Sequence, residues 1–337
     1  VSLGVAIAVF VVCLGLTLGA GEGLVRGIDA IGAGLGLNGG LMGLLTALGA
    51  DSPEIAAALV ALFTGASDVG VGVIIGSNIV NIAALLGLSA VIAGRVSIAS
   101  DQLGLHGGAA LMVTLIVGAE VLQVIPALLA GGLLLLILVP YVAILALRPR
   151  QVGALPAPIR VPLHALMPRP EEDPATRGGD RGDDDAGLGR NLLLVAGALA
   201  VIAGGSIGLV QATLTLGDAF GLPRGLVGVL ILAGLTGLPN AYTAVRLARQ
   251  GRGPAVVSEA LNSNTINLVV GIGLPALLIG LGRPGHYVPL ELAWLIGMTV
   301  VVLALLARGG GLNRAEGAAL LGLYLAFVAV RVVSTMM

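Results

Sequence analysis

Charge is scarce in this sequence. Only 10% of its 337 residues are Asp, Glu, Lys or Arg, and lysine is absent, so all 17 basic residues are arginine. A soluble domain carries about a quarter charged residues, so this composition cannot furnish a water-facing surface. The net charge of −1 offers nothing to nucleic acid. Cysteine is reduced to Cys13, which excludes an internal disulfide and any Cys-based metal cluster; within an apolar run it reads as a small packed hydrophobe. The three histidines, His106, His164 and His286, fall in loops or at span ends without ligand spacing, and no metal role is expected of them.

What is abundant is apolar sequence, 57% of the chain. It falls into runs such as Val1–Ala20, Pro126–Leu147 and Asn191–Val210, each near the roughly 20 residues that cross a bilayer as a helix. The 54 glycines are spread through these runs, where small residues let helix backbones approach closely. The first run lacks a basic leader region and a small-residue cleavage site, so it reads as a span and not as a signal peptide. Ten spans are predicted, at 1–21, 38–64, 68–93, 104–122, 125–147, 191–213, 223–248, 254–281, 287–307 and 314–336. Glu22 and Arg26 are expected to pair at the end of the first. Tyr287 and Trp294 near the start of the ninth fit interfacial or lipid-facing positions.

The expected organisation is therefore an all-α polytopic membrane protein with a five-span unit at 1–147, a polar linker at 148–190 and a second five-span unit at 191–337. The linker carries Glu171-Glu172-Asp173 and Asp183-Asp184-Asp185. A regulatory calcium site is conceivable there, but a segment so poor in apolar residues reads first as a solvated connector. With ten crossings and the N-terminus outside, Arg26, Arg95, the seven linker arginines, Arg246, Arg249, Arg252, Arg308 and Arg314 lie on the linker side. Only Arg224, Arg283 and Arg331 lie opposite. That bias predicts a cytoplasmic linker with both termini outside, in a prokaryotic inner membrane.

The two units are related. A shift of 186 residues lays Ala47 on Ala233, Pro53 on Pro239, Ser77 on Ser263, Asn78 on Asn264, Asn81 on Asn267 and Gly87 on Gly273. Five spans is an odd number, so the second copy enters the membrane inverted, and inverted repeats place a binding site near the midplane where they meet.

Gly49-Ala50-Asp51-Ser52-Pro53-Glu54 lies in the middle of span 2. Pro53 lacks a backbone donor and clashes with the preceding turn, so the helix should break there. A break frees carbonyl oxygens, which a membrane interior tolerates only around a cavity or ligand. Glu54 is an ionisable group at mid-span and a functional candidate by default; the alternative, a structural partner for arginine, finds no arginine at that depth. Asp51 shares its helix face and is either a second ligand or a hydrogen-bonding residue at the break. In span 3, Ser77 and Asn81 stack one turn apart, and span 8 repeats the pair as Ser263 and Asn267. Such residues can be interhelical glue, but their recurrence beside a second proline favours an oxygen cage for a hard cation such as Na⁺ or Ca²⁺.

This pattern resembles the cation/calcium antiporter superfamily, whose sodium/calcium exchangers carry G-T-S-x-P-E followed by G-S-N-I-x-N in each of two inverted repeats. Gly49 to Asn81 is similar to the first copy, with Ala50 and Asp51 replacing Thr and Ser. The resemblance implies alternating access around a central site, with spans 2 and 7 broken. Its ligands would be Glu54, Ser77, Asn81, Ser263 and Asn267, completed by carbonyls near Ala47 and Ala233 and by Thr236. The second copy departs from the pattern, reading Leu235-Thr236-Gly237-Leu238-Pro239-Asn240. Asn240 thus stands where the family has its second glutamate. Asp51 and Glu259 are the acids that would compensate, Glu259 being alternatively an interfacial partner of Arg252.

The implied activity is secondary cation antiport, first Na⁺/Ca²⁺ exchange, with Na⁺ or another monovalent cation against H⁺ as the alternative. A transport-dead homologue is a third reading, for which Asn240 is the best argument. No cofactor is expected, and the partners are the lipid bilayer and small inorganic cations. An intramembrane hydrolase would need a nucleophile with a base at depth; Ser52 is the one candidate there beside a carboxylate and no histidine lies mid-span, so an enzyme is not expected.

Overall fold

In the computed structural model of the chain, the described residues are 2–37, 39–147, 156, 184–283 and 285–334. The 171–173 acidic cluster, Asp183, His164 and most of the linker lie outside them. Among the described residues eight helices are long and apolar enough to cross a bilayer, and two bent pairs raise the number of spans to ten. Helices are what a bilayer demands, since each satisfies its own backbone hydrogen bonds.

Span 1 is Leu3–Gly34 and span 2 joins Leu41–Ala50 to Ser52–Phe63 through a 56° bend. Spans 3 to 5 are Ser67–Ala93, Ser100–Val121 and Ala127–Ala146. Span 6 lies within the helix Asp184–Ala219, and span 7 joins Arg224–Thr236 to Asn240–Arg249 through a 44° bend. Spans 8 to 10 are Gly253–Ile279, Val288–Gly309 and Arg314–Ser334. The ten-helix inverted-repeat fold, broken at spans 2 and 7, is thus the one expected. Two boundaries differ. Span 1 runs thirteen residues beyond its predicted end, because Gly-Ala-Gly-Glu contains no proline or cap to stop it; the Glu22–Arg26 pair forms on that exposed extension at 2.5 Å. Span 6 likewise starts at Asp184, before the predicted 191.

Burial orders the spans. Span 3 is 94% buried in its most apolar window and span 1 only 11%, so span 3 is the axis of the bundle and span 1 faces lipid. Glycine sets the approach of span 3 to span 7. A Cβ at Gly76 would stand 2.3 Å from the Val229 carbonyl oxygen, and one at Gly228 would stand 2.7 Å from that of Val69. Spans 1 and 6 pack on each other through similar notches, Gly205 against Thr17 and Gly208 against Cys13. Cys13 is accordingly the packed small residue expected.

Four core spans carry a π-helical stretch, at Val80–Leu85, Leu103–Gly107, Val227–Leu232 and Val269–Gly273. Such widened turns concentrate at functional sites, and here they adjoin Asn81, His106, Ala233 and Asn267. A two-stranded antiparallel ladder, β1 (Arg95–Ser97) with β2 (Gly311–Asn313), ties the loop after span 3 to the loop after span 9. It is a small β addition to the otherwise helical expectation.

Spans 9 and 10 hold an ion pair that the sequence pattern did not suggest. Arg331 Nε donates to Glu291 Oε1 at 2.7 Å, and both side chains are buried. The Tyr287 ring covers the guanidinium at 4.4 Å, and Trp294 packs on Phe327. Tyr287 and Trp294, expected at the interface or against lipid, are each half-buried and make these contacts on span 10. Removing one partner of a buried pair strands the other charge. Arg331→Met is therefore expected to destabilise the protein by about 3–5 kcal/mol, read as a lowered Tm in detergent. The double change Glu291→Met/Arg331→Met should recover most of that loss.

Candidate functional site

The break in span 2 is made from its own sequence. Pro53 has no N–H for the Gly49 carbonyl, and the Ser52 hydroxyl donates to that oxygen instead at 2.7 Å. Ser52 is thereby committed to the backbone and is no nucleophile. Asp51 N–H bonds the Ala47 carbonyl at 2.9 Å, and Gly237 N–H bonds that of Ala233 at 3.1 Å. Each of these two carbonyls, expected to be freed by the breaks, keeps an intrahelical bond and retains one lone pair. Thr236 is buried, with its hydroxyl donating to the Leu232 carbonyl at 2.8 Å; its oxygen lone pairs remain.

Span 1 lies over the break, where a Cβ at Gly21 would meet the Pro53 ring at 3.1 Å. Beneath it Glu54 is fully buried, and neither carboxylate oxygen has a hydrogen-bond partner. Asp51 is equally buried; its Oδ1 accepts from Asn240 Nδ2 at 2.8 Å, while Oδ2 has no partner. Ser263 reaches the same carboxylate, and the charges of Asp51 and Glu54 lie within each other's electrostatic reach. Spans 2, 7 and 8 therefore meet at Asp51.

The Ser/Asn pairs complete the polar interior. Ser77 and Asn81 are fully buried, and the Ser77 hydroxyl and Asn81 carbonyl oxygens are without partners. Asn267 Nδ2 points toward Asn78 Oδ1 at 3.4 Å and leaves its own Oδ1 unpaired. Asn264 behaves differently from these, donating to Thr114 Oγ1 in span 4 at 2.9 Å; it is glue. Glu259 is half-buried, four residues and so one helical turn before Ser263, and within electrostatic reach of Asp51.

Each buried polar atom left without a partner costs about 1–3 kcal/mol. Native interiors rarely leave more than a few so. Here the orphans are mostly oxygens, from Glu54, Asp51, Ser77, Asn81 and Asn267, on three neighbouring spans. Oxygen donors in this number fit a hard cation as cargo. Among the described residues no three His, Cys, Asp or Glu side chains cluster, so amide and hydroxyl oxygens have to supply the rest of such a shell.

One buried group beside this site escaped the sequence reading. His106 is not at a solvated span end; its Nδ1 lies 2.7 Å from Tyr141 OH and 3.0 Å from Asn262 Oδ1, and the Tyr141 hydroxyl also bonds Asn262. This trio from spans 4, 5 and 8 fixes the residue preceding Ser263. His106 and Tyr141 are each a lone polar residue among apolar neighbours, and Asn262 opens the polar run Asn262–Thr265, so no spacing announces the trio. His286 is exposed and stacks on Tyr287.

Comparison with known proteins bears on the family and the fold. The family profile described as sodium/calcium exchanger protein matches residues 5–148 and again 190–333, once in each half. Inner membrane protein YrbG of Escherichia coli K12 is 26% identical over 288 residues, 85% of this chain and 82% of that one. Sodium/calcium exchanger MaX1 of Methanosarcina acetivorans is 25% identical over 146 residues, 43% of this chain. The match spans 42% of the length of MaX1, and only 18% of the length of sodium/potassium/calcium exchanger 2 of Rattus norvegicus. Among solved structures, the sodium-calcium exchanger NCX_Mj superposes with a TM-score of 0.62 at 19% identity, covering 97% of this chain and 99% of that chain. The H⁺/Ca²⁺ exchanger CAX superposes with 0.75 at 15% identity, covering 95% and 81%. These likenesses concern the fold.

Orphan oxygens that take up a cation should make that cation a stabiliser. NaCl or CaCl₂ at about a hundred times its Kd is expected to add about 2.7 kcal/mol of stability, measured as a Tm rise over choline chloride of equal ionic strength. Most of the rise should be lost in Glu54→Gln; identical melting in all three salts would exclude these atoms as ligands.

Proposed function

The chain belongs to the sodium/calcium exchanger family, and from that premise we propose that it is a secondary active cation antiporter, with Na⁺/Ca²⁺ exchange as its leading pair. The ion would lie near the membrane midplane among Glu54, Asp51, Ser77, Asn81, Ser263 and Asn267. Asn240, Thr236 and the Ala47 and Ala233 carbonyls would stand at its margin, and Glu259 on the linker side. The observation that carries this reading is the Asp51–Asn240 hydrogen bond. It supports Asp51 as the second carboxylate of the cage, moved from span 7 to span 2, so that Asn240 need not abolish divalent binding.

Charge bookkeeping then gives the coupling. Two carboxylates buried in a membrane interior require compensation, and either one divalent ion, or monovalent ions, or a proton with a cation, supplies it. Release of one therefore favours capture of another, which is exchange. The monovalent-cation/proton alternative draws on the same pair of acids, since a proton on Glu54 can stand in for an ion. For access, spans 1 and 6 pack through small residues and span 1 lies over the Pro53 break, an arrangement that supports sliding of that pair across the remaining core. Residues 1–147 and 191–337 would be the mirrored units, with 148–190 as a cytoplasmic linker. The arginine bias supports both termini outside, in a prokaryotic inner membrane.

Purified protein in liposomes tests this directly. Uptake of ⁴⁵Ca²⁺ or ²²Na⁺ is expected down an imposed Na⁺ or pH gradient, and Glu54→Gln should reduce it at least tenfold while leaving the protein monodisperse. No counterflow of any cation in the unaltered protein would mean a transport-dead homologue. Asp51→Ser should impair Ca²⁺ flux, and Asp51→Ser/Asn240→Glu, which returns the carboxylate to span 7, should restore it. A double variant no better than the single one would sink the relocation argument.

A further inference from the structure

The fold holds a second buried acid that the cage does not use. Glu120 ends span 4 on the face opposite the linker, 6% exposed, and neither of its carboxylate oxygens has a hydrogen-bond partner. It lines a cavity of about 440 Å³ together with Gln123, Pro126, Ala276, Gly280 and Gly282. Gln123, Gly280 and Gly282 are exposed, so the cavity has a solvent-side rim. That rim is built: Gln123, the one non-glycine residue with positive φ (58°) among those described, donates Nε2 to the Gly282 carbonyl at 2.5 Å. The bond joins the loop after span 4 to the loop after span 8. Among the described residues no arginine pairs with Glu120, although Arg283 follows in the same loop and is exposed.

The cavity is aligned with the cage. Glu120 Oε2 lies 3.7 Å from where a Cβ on Gly273 would stand. Gly273 is six residues beyond Asn267 along span 8, about 9 Å at the helical rise. Span 4 is fastened to the same helix by the Thr114–Asn264 bond, six residues before Glu120. At about 30 Å³ per water the cavity has room for on the order of ten water molecules. A cation held there keeps most of its hydration shell, in contrast to one stripped by the cage. A bare buried carboxylate is costly unless compensated, and hard oxygen chemistry selects hard cations.

We propose that Glu120 and its cavity form a second cation site, a staging position for a partly hydrated Na⁺ or Ca²⁺ about one and a half helical turns from the central cage on the side opposite the linker. Its role in transport rests on the antiporter reading; its existence as a binding site does not.

Equilibrium binding of ⁴⁵Ca²⁺ to the full-length Glu54→Gln protein in nanodiscs tests the site apart from the cage. Residual saturable binding is expected, competed by Na⁺, retained in Glu54→Gln/Glu120→Asp and reduced at least fivefold in Glu54→Gln/Glu120→Gln. In oriented proteoliposomes, Glu120→Gln alone should raise the KM for Ca²⁺ offered on the face opposite the linker three- to tenfold. The KM on the linker face and the maximal rate should stay unchanged. Binding that is absent in Glu54→Gln, or unaffected by loss of Glu120, overturns the proposal, as does a KM change equal on both faces. Binding that depends on Glu120 in a protein without counterflow would leave the site standing and remove the antiporter reading.

Discussion

A carboxylate cannot lie bare inside a bilayer, and the rest of this structure is organised around that constraint. Glu54 is fully buried at a helix break with both oxygens unpartnered. Its charge has to be met by something that enters and leaves, because no arginine or lysine among the described residues meets it. The break itself is a consequence of Pro53, and Ser52 heals the one carbonyl that proline orphans. What remains open is therefore confined to side-chain oxygens. Polar groups buried elsewhere, such as Glu291 with Arg331 and His106 with Tyr141 and Asn262, satisfy one another.

The contrast between the two acids and the one buried arginine makes the point from the other side. Arg331 and Glu291 satisfy each other at 2.7 Å under an aromatic cover, and such a closed pair has no vacancy for cargo. Asp51 and Glu54 are of like sign and near each other, with Asn240 and Ser263 as the protein donors to Asp51 among the described residues. Structural and transport charges in this fold are thus told apart by whether their partners are fixed.

Much of this was legible in the chain. Apolar run length located ten spans, the 186-residue shift exposed the duplication, and Pro53 and Pro239 marked the bends. These signals survive because a membrane leaves few alternatives to a helix. What was not legible depends on partners far apart in sequence. His106 and Tyr141 are solitary polar residues in two spans, Asn262 belongs to the polar run of a third, and Glu291 with Arg331 looks like two interfacial charges. The length of span 1 was missed because Glu22 and Arg26 interrupt the apolar run, whereas the helix continues past them and packs Val25 and Ile28 on Gly49 of span 2. The π-helical turns have no residue signature at all, and Glu120 reads as an ordinary span end until the neighbouring loop closes over it.

The departure of the second repeat from the family pattern is where sequence and geometry have to be taken together. Read singly, Asp51 in place of a serine and Asn240 in place of a glutamate are two defects, one adding a charge and one removing it. The structure joins them by a hydrogen bond across the two halves. A glutamate at 240 could not donate to Asp51 and would repel it, whereas an asparagine both donates to it and leaves a neutral oxygen. Conversely, Asn240 without Asp51 would lose a negative charge from the cage with nothing to replace it. Each substitution is therefore intelligible only in the presence of the other, and under the proposed function the pair would keep two carboxylates within the cage while placing both on the bent second span.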